Sequence, residues 1–442
     1  MTEYVYGLSK SGLSVIKLLT LQKKSFHCWD DNKSIRYSLK KKFSKLKFTQ
    51  INNINLKKYN NIYLTPGLSI SDRKVSKVSK SRIKRDLNLY YQNLKNETVV
   101  AITGTNGKST TTKLIGDIIK RKYKNTFVGG NIGDSLCNSI LNKSRFSYHV
   151  IELSSFQLET IKKFEPKISI LLNLSKDHLD RYKNFKEYIN AKKNILNSKN
   201  KNINLISIDD KYSKKIFNNK KIKNKISFSL NNNTADIYYS NGFIVDKYFY
   251  KYKSFKLINI SSDLSNTYNI QNILATYIVC KYLNIPVKYF TESVKKFRGL
   301  PYRSSIIFNS KSKIVINNSK ATNVSSSLLT LDNKKNIFLI LGGIAKKEDE
   351  FHNFNKYKDD IIKIYIYGKS RYLIKRQIGL NKISKVVTSL DDVVKNLRID
   401  LSTFDCKATI IFAPACASFD QFDNFEKRGN YFNKLIKNKI KK

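Results

Sequence analysis

The order of apolar and polar residues predicts alternating strands and helices along this chain of 442 residues. An apolar run at 4–6 precedes a glycine-bearing turn, and apolar residues then recur at helical spacing over 13–21. Two further apolar runs, FHCWDDN at 26–32 and NIYLTPGLS at 61–69, have the length and flanking turns of strands. This order of elements resembles a nucleotide-binding βαβ unit, with Ser9 in place of the middle glycine of the fingerprint.

A second group of elements follows a basic, polar stretch at 74–95. It opens with a β-branched strand and a helix separated by a glycine-rich loop, and a later strand is apolar throughout, as buried parallel strands are. The strands are predicted at ETVVAITG (97–104), YHVIELS (148–154) and ISILLNLS (168–175), the helices at 111–122, 185–196 and 267–283, and short strands with Asn-rich turns at 202–260.

A third group begins after Gly299 and Pro301. It contains four buried-strand candidates, SKIVINNS, NIFLILGG, IIKIYIYG and ATIIFAP, together with a predicted helix at 390–399. Single hydrophobic cores stop growing at roughly 250–300 residues, so the chain is too long for one domain. We predict an α/β protein with three domains, at 1–94, 95–300 and 301–442.

The net charge of +50, from 83 basic and 33 acidic residues, raises the possibility of a nucleic-acid-binding protein. The excess is spread along the chain as Lys, beside much Asn, Ile and Tyr, as the codons of an A/T-rich genome would favour. Basic runs such as KKKFSKLK (40–47) and KSRIKR (80–85) are more typical of solvated faces. We expect no nucleic-acid partner, but a nucleic-acid-stimulated P-loop ATPase remains an alternative.

Five scattered cysteines without a C-x-x-C pair argue against a disulfide framework and a zinc site. No window approaches the roughly 18 consecutive apolar residues of a membrane span, and the amino terminus lacks an export signal. We therefore expect a cytoplasmic protein that does not insert into a membrane.

The segment AITGTNGKSTTTK at 101–113 predicts a phosphate-binding loop. In the usual pattern, G-x-x-x-x-G-K-[ST], the first glycine would fall where Ile102 stands, so this loop is a shortened variant that turns at Gly104. Backbone N–H groups and the positive end of the following helix favour an anion there. Lys108 supplies a cation for the phosphates, and Ser109 or Thr110 a hydroxyl for Mg²⁺. A plain strand-to-helix turn is the alternative.

Two residues follow strands whose carboxyl ends are predicted to lie beside this loop. Glu152 ends the strand in HVIELS, and His178 follows the strand in ISILLNLS. Because ligands of open α/β sheets bind at that edge, both side chains are candidates for metal or phosphate binding. A capping glutamate and a packing histidine are the alternatives. Lys192, in NAKKNIL, is by composition one lysine among many on a predicted helix.

Nine segments together resemble the Mur ligases, in order and over most of the chain. They are TGTNGKST, GGNIG, ELSSFQLE, DHLDRY, NAKKNIL, YNIQN, GLPYR, NNSKATN and PACASFDQFDNFEKRG. ELSSFQLE, SKATN and the PACASFDQF segment resemble the members that add D-glutamate. The resemblance implies a Rossmann-like amino-terminal domain for the UDP end of the substrate, a central P-loop ATPase with a mostly parallel sheet, and a Rossmann-like carboxy-terminal domain for the amino acid.

The activity implied is ATP-dependent ligation of D-glutamate to UDP-N-acetylmuramoyl-L-alanine through an acyl phosphate, in peptidoglycan precursor synthesis. A sister ligase that adds another amino acid is the alternative within the family, and a chain that binds UDP-sugar without catalysis is another. By resemblance we expect ATP as a substrate, two Mg²⁺ ions as cofactors, small-molecule substrates and a monomeric enzyme.

The resemblance also assigns roles to individual residues. Lys108, His178 and Lys192 would be catalytic, and Lys192 would be carbamylated, which requires neighbouring cations that lower its pKa. The metal ligands would be Ser109, Glu152, His178 and Lys192. ATP would contact Gly104, Thr105, Asn106, Gly107, Lys108, Ser109, Thr110, Asn272, Arg303 and Asn318. The UDP-sugar would contact Asp30, Asp31, Asn131 and Gln157, and D-glutamate would contact Lys320, Thr322, Lys346, Ser418 and Phe425.

Some positions depart from the pattern of the family. Tyr268 and Tyr302 stand where histidine is common, Asn318 where aspartate is usual, and Lys176 where an acidic residue often precedes the Asp-His pair. We expect these departures to change affinities, and not the type of reaction.

Overall fold

The structure, a computed structural model, describes residues 2–53, 55–76, 78–142, 144–196, 202–381 and 383–440. Its strands are β1 (Glu3–Tyr6), β2 (Phe26–Trp29), β3 (Ile62–Leu64), β4 (Ile83–Lys84), β5 (Thr98–Thr103), β6 (Thr126–Gly130), β7 (Tyr148–Glu152), β8 (Ile168–Leu171), β9 (Ile203–Ser207), β10 (Lys225–Ser229), β11 (Ile237–Ser240), β12 (Phe243–Asp246), β13 (Lys253–Lys256), β14 (Ser305–Asn309), β15 (Lys313–Asn317), β16 (Ile337–Gly342), β17 (Ile361–Tyr367), β18 (Ser384–Val386) and β19 (Ala408–Ala415).

Its helices are α1 (Lys10–Leu21), α2 (Lys33–Lys42), α3 (Asp86–Gln92), α4 (Lys108–Lys122), α5 (Leu136–Leu141), α6 (Ser155–Leu158), α7 (Phe185–Lys193), α8 (Lys211–Phe217), α9 (Thr267–Tyr282), α10 (Val287–Lys296), α11 (Val324–Leu331), α12 (Arg371–Ile378), α13 (Leu390–Ser402) and α14 (Phe425–Lys439). The strands and helices predicted from sequence are present, with ends that differ by a few residues.

The strands form three sheets. The first has the order β2-β1-β3-β4 and is parallel. The second has the order β13-β12-β11-β10-β9-β8-β5-β7-β6. Among its described strands, the antiparallel pairs are β11 with β12 and β12 with β13, and the other pairs are parallel. The third has the order β14-β15-β19-β16-β17-β18, and β14 alone among these described strands is antiparallel to its neighbour. The sheets are therefore mostly parallel, as predicted.

The chain divides into two compact units. The first consists of Met1–Leu174, Asn184–Asn259 and Ile270–Lys296, and holds the first two sheets. The second consists of Ser175–Lys183, Ile260–Asn269 and Phe297–Lys442, and holds the third sheet.

Within the first unit, one buried hydrophobic cluster includes side chains that belong to the first and the second sheet and to the helices around them. Val5, Leu18, Tyr90, Leu136 and Ile151 are among its members. Helix α1 packs on α5, and α3 packs on both. The core of the first unit is therefore continuous between these two sheets.

Helix α3 lies in the stretch at 74–95 that the sequence marks only as basic and polar. Its Leu87, Leu89 and Tyr90 are buried, and seven residues are too few for a recognisable helical period. Arg85, which precedes it and ends the basic run KSRIKR, is not solvated. Its guanidinium is completely buried, donates hydrogen bonds to the carbonyl oxygens of residues 64, 65 and 68, and pairs with Glu159.

Within the second unit, the sheet has two buried faces. Leu339 and Ile411 lie in the cluster on one face, whereas their neighbours Phe338 and Phe412 lie in the cluster on the other. Successive side chains of a strand point to opposite faces, so a strand covered on both sides must be apolar at every position. The continuous apolar runs of the sequence have this cause.

Within the described ranges, no helix is both long enough and apolar enough to span a lipid bilayer.

Candidate active site

The glycine-rich loop links the carboxyl end of β5 to the first turn of α4, which begins at Lys108. Gly104 has a φ of +153° and Gly107 a φ of +83°, conformations that residues with a side chain rarely adopt. A Cβ atom on Gly107 would lie 2.4 Å from Oδ1 of Asn272. The loop therefore requires glycine at both positions, as expected for a short turn at Gly104.

Asn173, which follows β8, fixes the conformation of this loop. Its carbonyl oxygen accepts from the Thr105 N–H at 2.9 Å, and its Oδ1 accepts from the Asn106 N–H at 2.8 Å. Its own amide donates to Oε1 of Gln271 on α9 at 2.8 Å. Because β8 pairs with β5, Asn173 is placed beside the loop by the sheet itself. Sequence reasoning did not single out Asn173 or Gln271.

Two predicted catalytic lysines meet at one carbonyl oxygen. Lys108 Nζ donates to the carbonyl oxygen of Gly104 at 3.0 Å and to that of Thr105 at 2.7 Å. Lys192 Nζ, on the buried face of α7, donates to the same Gly104 oxygen at 2.7 Å. Lys192 is only 2% exposed and lies over the ring of Tyr188. It is therefore not part of a solvated helix face, and a second cation lies close to it.

Glu152 ends β7 beside the first turn of α4 and is 1% exposed. Ser109 Oγ donates to its Oε2 at 2.5 Å, and the side-chain amide of Asn131 donates to its Oε1 at 2.7 Å. Both carboxylate oxygens of Glu152 are thus directed into the space between α4 and the loop after β6. Asn131, predicted for the UDP-sugar, contacts the candidate metal ligand.

These donors fit a magnesium ion. Mg²⁺ prefers oxygen ligands, and proteins usually hold it through one or two carboxylates together with substrate phosphates and water. Ser109 and Glu152 supply a hydroxyl and a carboxylate next to a loop whose geometry suits phosphate. Across the residues that the structure describes, His, Cys, Asp and Glu side chains form no group of three that could hold a metal.

Asn272, predicted for the adenosine side, is buried against the start of α4. Its Oδ1 accepts from the Thr111 hydroxyl at 3.0 Å. The position of this oxygen next to Gly107 couples α9 to the phosphate loop. Thr110, one residue before, is half-buried.

The two aspartates predicted for the UDP end lie at the carboxyl end of β2. Asp30 accepts from the Leu8 N–H at 2.6 Å, and so holds the turn between β1 and α1. Asp31 accepts from the Tyr6 hydroxyl at 2.6 Å and pairs with Lys74 at 2.8 Å. Burial raises the pKa of Tyr6 to about 12, and its bond to Asp31 adds to this effect.

Gln157, the fourth residue predicted for the UDP-sugar, is buried in helix α6 and lies more than 120 positions after Asp30 and Asp31 in the sequence. Its Oε1 accepts from the backbone and hydroxyl of Ser154, and its Nε2 donates to both oxygens of Asp86 at 3.3 and 3.2 Å. Burial raises the pKa of Asp86, although the bond from Gln157 opposes the rise. Asp86 was not singled out from the sequence.

In the second unit, the segment 175–183 carries His178, which has a φ of +58°. Its Nε2 lies 3.5 Å from the carboxylate of Asp177, and its N–H donates to the same carboxylate at 3.0 Å. Asp177 is buried, pairs with Lys346, and accepts from the Asn323 amide at 3.2 Å. The other predicted metal ligands, Ser109, Glu152 and Lys192, belong to the first unit.

Lys346 follows β16 and is surrounded by carboxylates. Burial lowers the pKa of its ammonium, but Asp177, with smaller contributions from Asp349 and Glu348, raises it, and the pKa is raised overall. Its N–H donates to Asp349 at 2.7 Å. Burial raises the pKa of Asp349 to about 7, against the lowering effects of the Lys346 N–H and charge.

The other residues predicted for D-glutamate lie around the carboxyl ends of β15 and β19. Lys320 Nζ lies 4.1 Å from the ring centre of Phe425, the first residue of α14. Ser418 is buried after β19, and Thr322 is half-buried after β15. Because β15, β19 and β16 are neighbours in the sheet, their carboxyl ends bring Lys320, Ser418 and Lys346 to one edge.

Comparison with known proteins agrees with this geometry. Residues 102–280 match the family model described as the Mur ligase middle domain. A protein of Rickettsia bellii named UDP-N-acetylmuramoylalanine–D-glutamate ligase is 34% identical over 98% of this chain and 96% of its own length.

The chain belongs to the Mur ligase family.

Proteins with the same printed name occur among other relatives. That of Rickettsia prowazekii is 33% identical over 98% of this chain and 97% of its own length. That of Buchnera aphidicola subsp. Acyrthosiphon pisum is 38% identical over 77% of this chain and 75% of its own length. The predictions of the Mur ligase family and of a ligase activity are confirmed.

Solved Mur ligase structures share the fold. The UDP-N-acetylmuramate-alanine ligase MurC of Thermotoga maritima superposes with a TM-score of 0.60, at 18% identity over 99% of both chains. A pseudomurein peptide ligase type C of Methanothermus fervidus superposes with a TM-score of 0.58, at 17% identity over 99% of both. At these identities the likeness concerns the fold alone, and it confirms the predicted α/β class.

The positions that we expect to depart from the family pattern have local partners. The Tyr268 hydroxyl donates to Ser304 at 3.1 Å, and the Tyr302 hydroxyl donates to Asn430 at 2.5 Å. The Asn318 amide donates to Thr330 at 2.7 Å. Lys176 pairs with Glu350 at 2.8 Å. Arg303, the last residue of the segment GLPYR, is half-buried just before β14.

Proposed function

We propose that the protein catalyses the ATP-dependent ligation of D-glutamate to UDP-N-acetylmuramoyl-L-alanine, a step of peptidoglycan precursor synthesis. The observation that carries this proposal is the similarity to proteins named UDP-N-acetylmuramoylalanine–D-glutamate ligase over 98% of the chain. The phosphate loop and the cationic edge of the third sheet supply the chemistry that such a reaction needs.

The reaction joins a carboxylate to an amine, and a free carboxylate is a poor acyl donor. In the proposed sequence, an oxygen of the alanyl carboxylate attacks the γ-phosphorus of ATP, which forms an acyl phosphate and releases ADP. The amine of D-glutamate then attacks the acyl carbon, and inorganic phosphate leaves from the tetrahedral intermediate. The amine loses one proton in forming the amide.

The residues of the phosphate loop would bind ATP. The N–H groups of the loop and of the first turn of α4 favour the phosphates, and Lys108 would balance the charge that develops as the phosphoryl group moves. The support is the positive φ of Gly104 and Gly107 and the hydrogen bonds of Lys108 to the loop carbonyl oxygens. The set proposed for ATP is Gly104, Thr105, Asn106, Gly107, Lys108, Ser109, Thr110, Asn272, Arg303 and Asn318.

Ser109 and Glu152 would hold Mg²⁺ together with the phosphates of ATP, and a second Mg²⁺ is proposed at His178 and Lys192. Bound Mg²⁺ would neutralise charge on the oxygens of the phosphate chain. Lys192 would bind metal as a carbamate, formed when its neutral amine adds to CO₂ and loses a proton. The nearby ammonium of Lys108 favours the neutral amine, which supports this proposal.

The substrate ends would be bound at different sheets. Asp30, Asp31, Asn131 and Gln157 are proposed for the UDP-sugar, and Lys320, Thr322, Lys346, Ser418 and Phe425 for D-glutamate. Lysines and a hydroxyl are suitable partners for the two carboxylates of that amino acid. The convergence of β15, β19 and β16 at one edge supports this second group.

We further propose three domains, at 1–94, 95–300 and 301–442, in a monomeric cytoplasmic enzyme without a nucleic-acid partner. Each range contains one of the three sheets, which supports the division. The continuous core between the first two sheets indicates that residues 1–94 are packed firmly on the central part within the first unit.

Phosphate release by the purified protein tests the proposed activity. The assay contains ATP, Mg²⁺ and UDP-N-acetylmuramoyl-L-alanine with D-glutamate, L-glutamate, L-lysine, glycine or L-alanine in turn. The expected result is phosphate release with D-glutamate and with none of the other amino acids, together with an amide product of the expected mass. Release with another amino acid and not with D-glutamate would assign a sister activity. Stimulation by DNA or RNA without the sugar nucleotide would favour the nucleic-acid alternative.

A further inference from the structure

Arg428 lies in the first turns of α14 and is completely buried. Its Nε donates to the Ser319 hydroxyl at 3.1 Å, and one terminal nitrogen donates to the Ser319 carbonyl oxygen at 2.7 Å. The other terminal nitrogen donates to the carbonyl oxygens of Cys416 at 2.9 Å and Gly342 at 3.4 Å. No role has been assigned to this residue in the site described above.

The acceptors of Arg428 mark the carboxyl ends of three neighbouring strands. Ser319 follows β15, Gly342 is the last residue of β16, and Cys416 follows β19. β19 lies between β15 and β16 in the sheet. One planar guanidinium, with five donors in a fixed fork, therefore connects three loops at the point where each leaves the sheet.

The guanidinium contacts no carboxylate among the described residues. Its hydrogen bonds are made to carbonyl oxygens and one hydroxyl. A buried charge usually requires an opposite charge or many hydrogen bonds, because desolvation is costly. Arg85, which is buried to the same extent, pairs with Glu159. The carbonyl oxygens of the three loops thus provide the compensation for Arg428, which ties the loop conformations to the presence of the guanidinium.

The connected loops carry the cations and the hydroxyl proposed for the amino acid. Lys320 follows Ser319 directly, Lys346 lies in the loop after Gly342, and Ser418 lies two residues beyond Cys416. The Ser319 hydroxyl, besides accepting from Arg428, donates to the carbonyl oxygen of Phe425 at 2.8 Å. Phe425 in turn lies under the ammonium of Lys320. Arg428 is therefore linked through the Ser319 hydroxyl to the backbone of Phe425, whose ring lies against Lys320.

We propose that Arg428 is a positioning residue for the incoming amino acid, through the three loops that its guanidinium fixes. This inference rests on the proposed function, since the loops are assigned to the amino acid there. It adds that the relative placement of Lys320, Lys346 and Ser418 depends on one buried side chain that does not touch the substrate.

The test compares Arg428→Lys and Arg428→Ala with the wild-type enzyme. A lysine keeps the charge but cannot reach acceptors on three loops in one plane. The KM for D-glutamate should rise about tenfold or more in both variants, since small misplacements of binding groups are costly. The KM values for ATP and for UDP-N-acetylmuramoyl-L-alanine should stay within about twofold of wild type. In Arg428→Ala, guanidinium chloride at low millimolar concentration should partly restore the KM for D-glutamate, whereas NaCl at equal ionic strength should not.

Arg85→Lys is the matched control, because Arg85 is an equally buried arginine that also donates to three backbone carbonyl oxygens. Its melting temperature should fall as that of Arg428→Lys does, while its KM for D-glutamate stays at the wild-type value. Thermal unfolding of each variant identifies any that does not fold, and Arg428→Lys then replaces Arg428→Ala as the variant for kinetics.

The outcomes separate this inference from the proposed function. An unchanged KM for D-glutamate in Arg428→Lys, or a parallel rise of all three KM values, would overturn the positioning role. Wild-type enzyme that uses another amino acid would overturn the proposed specificity; the KM for that amino acid then takes the place of the KM for D-glutamate. Loss of guanidinium rescue in Arg428→Ala together with an unchanged KM in Arg428→Lys would leave Arg428 with a folding role only.

Discussion

Lys108 and Lys192 donate hydrogen bonds to the same atom, the carbonyl oxygen of Gly104, although they lie on different helices. Lys108 begins α4 at the phosphate loop, and Lys192 is on the buried face of α7. Two ammonium groups on one oxygen lie within a few ångströms of each other, and each disfavours the charge on the other. This arrangement suits a lysine that must lose its proton before it reacts with CO₂.

Replacement of Lys192 should lower kcat strongly without unfolding the protein. Lys192→Met has a similar volume but cannot form a carbamate, so we expect kcat to fall by about 100-fold or more. Phosphate release at saturating substrates measures this. In wild type, activity should rise when bicarbonate is added to CO₂-depleted buffer.

Lys193→Met, on the same helix but half-buried, is the control and should keep its activity. Turnover by Lys192→Met at the wild-type rate would contradict both the carbamate and any catalytic role for this lysine.

The Ser109–Glu152 contact predicts a specific dependence on Mg²⁺. Glu152→Gln keeps the size of the side chain and a hydrogen-bonding oxygen, but removes the negative charge that would face the metal. The Mg²⁺ concentration for half-maximal activity should rise about tenfold or more, and kcat should fall. A Mg²⁺ titration at fixed ATP measures this change, and an unaltered titration curve would argue against Glu152 as a ligand.

The sequence predicts the parallel strands and the phosphate loop because their signals are local. Apolar runs such as NIFLILGG reflect strands covered on both faces, and Gly-Lys-Ser follows a β-branched strand after a turn of three residues. Helix α3 was missed because its seven residues are too few for a recognisable helical period and follow the basic run KSRIKR. Those apolar residues are buried largely against helices α1 and α5, which are distant along the chain.

The polar residues that hold the site are missed for a related reason. Asn173 lies 67 positions from Asn106, and Asp177 lies 169 positions from Lys346. From the sequence, Arg428 is an ordinary charged residue on a helix, and its contacts with three strand ends depend on the order of strands in the sheet. Residue type and spacing do not predict such long-range pairings. The resemblance to the Mur ligases predicted a role for Lys192 because it transfers whole-protein positions to this chain.

The pair of Asp177 and Lys346 predicts a pH-dependent affinity for the amino acid. Burial alone would lower the pKa of Lys346, and Asp177 raises it, so Asp177→Asn should let the ammonium lose its proton at a lower pH. A neutral amine binds carboxylates poorly. In this variant the KM for D-glutamate should therefore rise as pH increases, at values where the wild-type KM is constant.

Glu350→Gln provides the control for this pH profile, because Glu350 pairs with the exposed Lys176 in the same pair of loops. Exposed ion pairs contribute roughly 0–1 kcal/mol, so its KM profile should match wild type. Identical profiles for Asp177→Asn and wild type would show that Asp177 does not control the charge of Lys346 in amino-acid binding.

Stability of the first unit should fall as pH is lowered from 6.5 to 4 because of His149. Its side chain is 1% exposed, and Nδ1 bonds to the Tyr90 hydroxyl at 2.8 Å. Burial lowers the pKa of His149 to about 4 from an ordinary value of 6.5, against the opposing effect of Glu97. Between these pH values the unfolded chain binds the proton and the folded chain does not. The free energy of unfolding should therefore fall by about 3 kcal/mol as the pH reaches the acid end of this range. Urea unfolding at pH 7 and pH 4.5 measures this loss, which should shrink in His149→Gln; an equal loss in both proteins would place its origin in other groups.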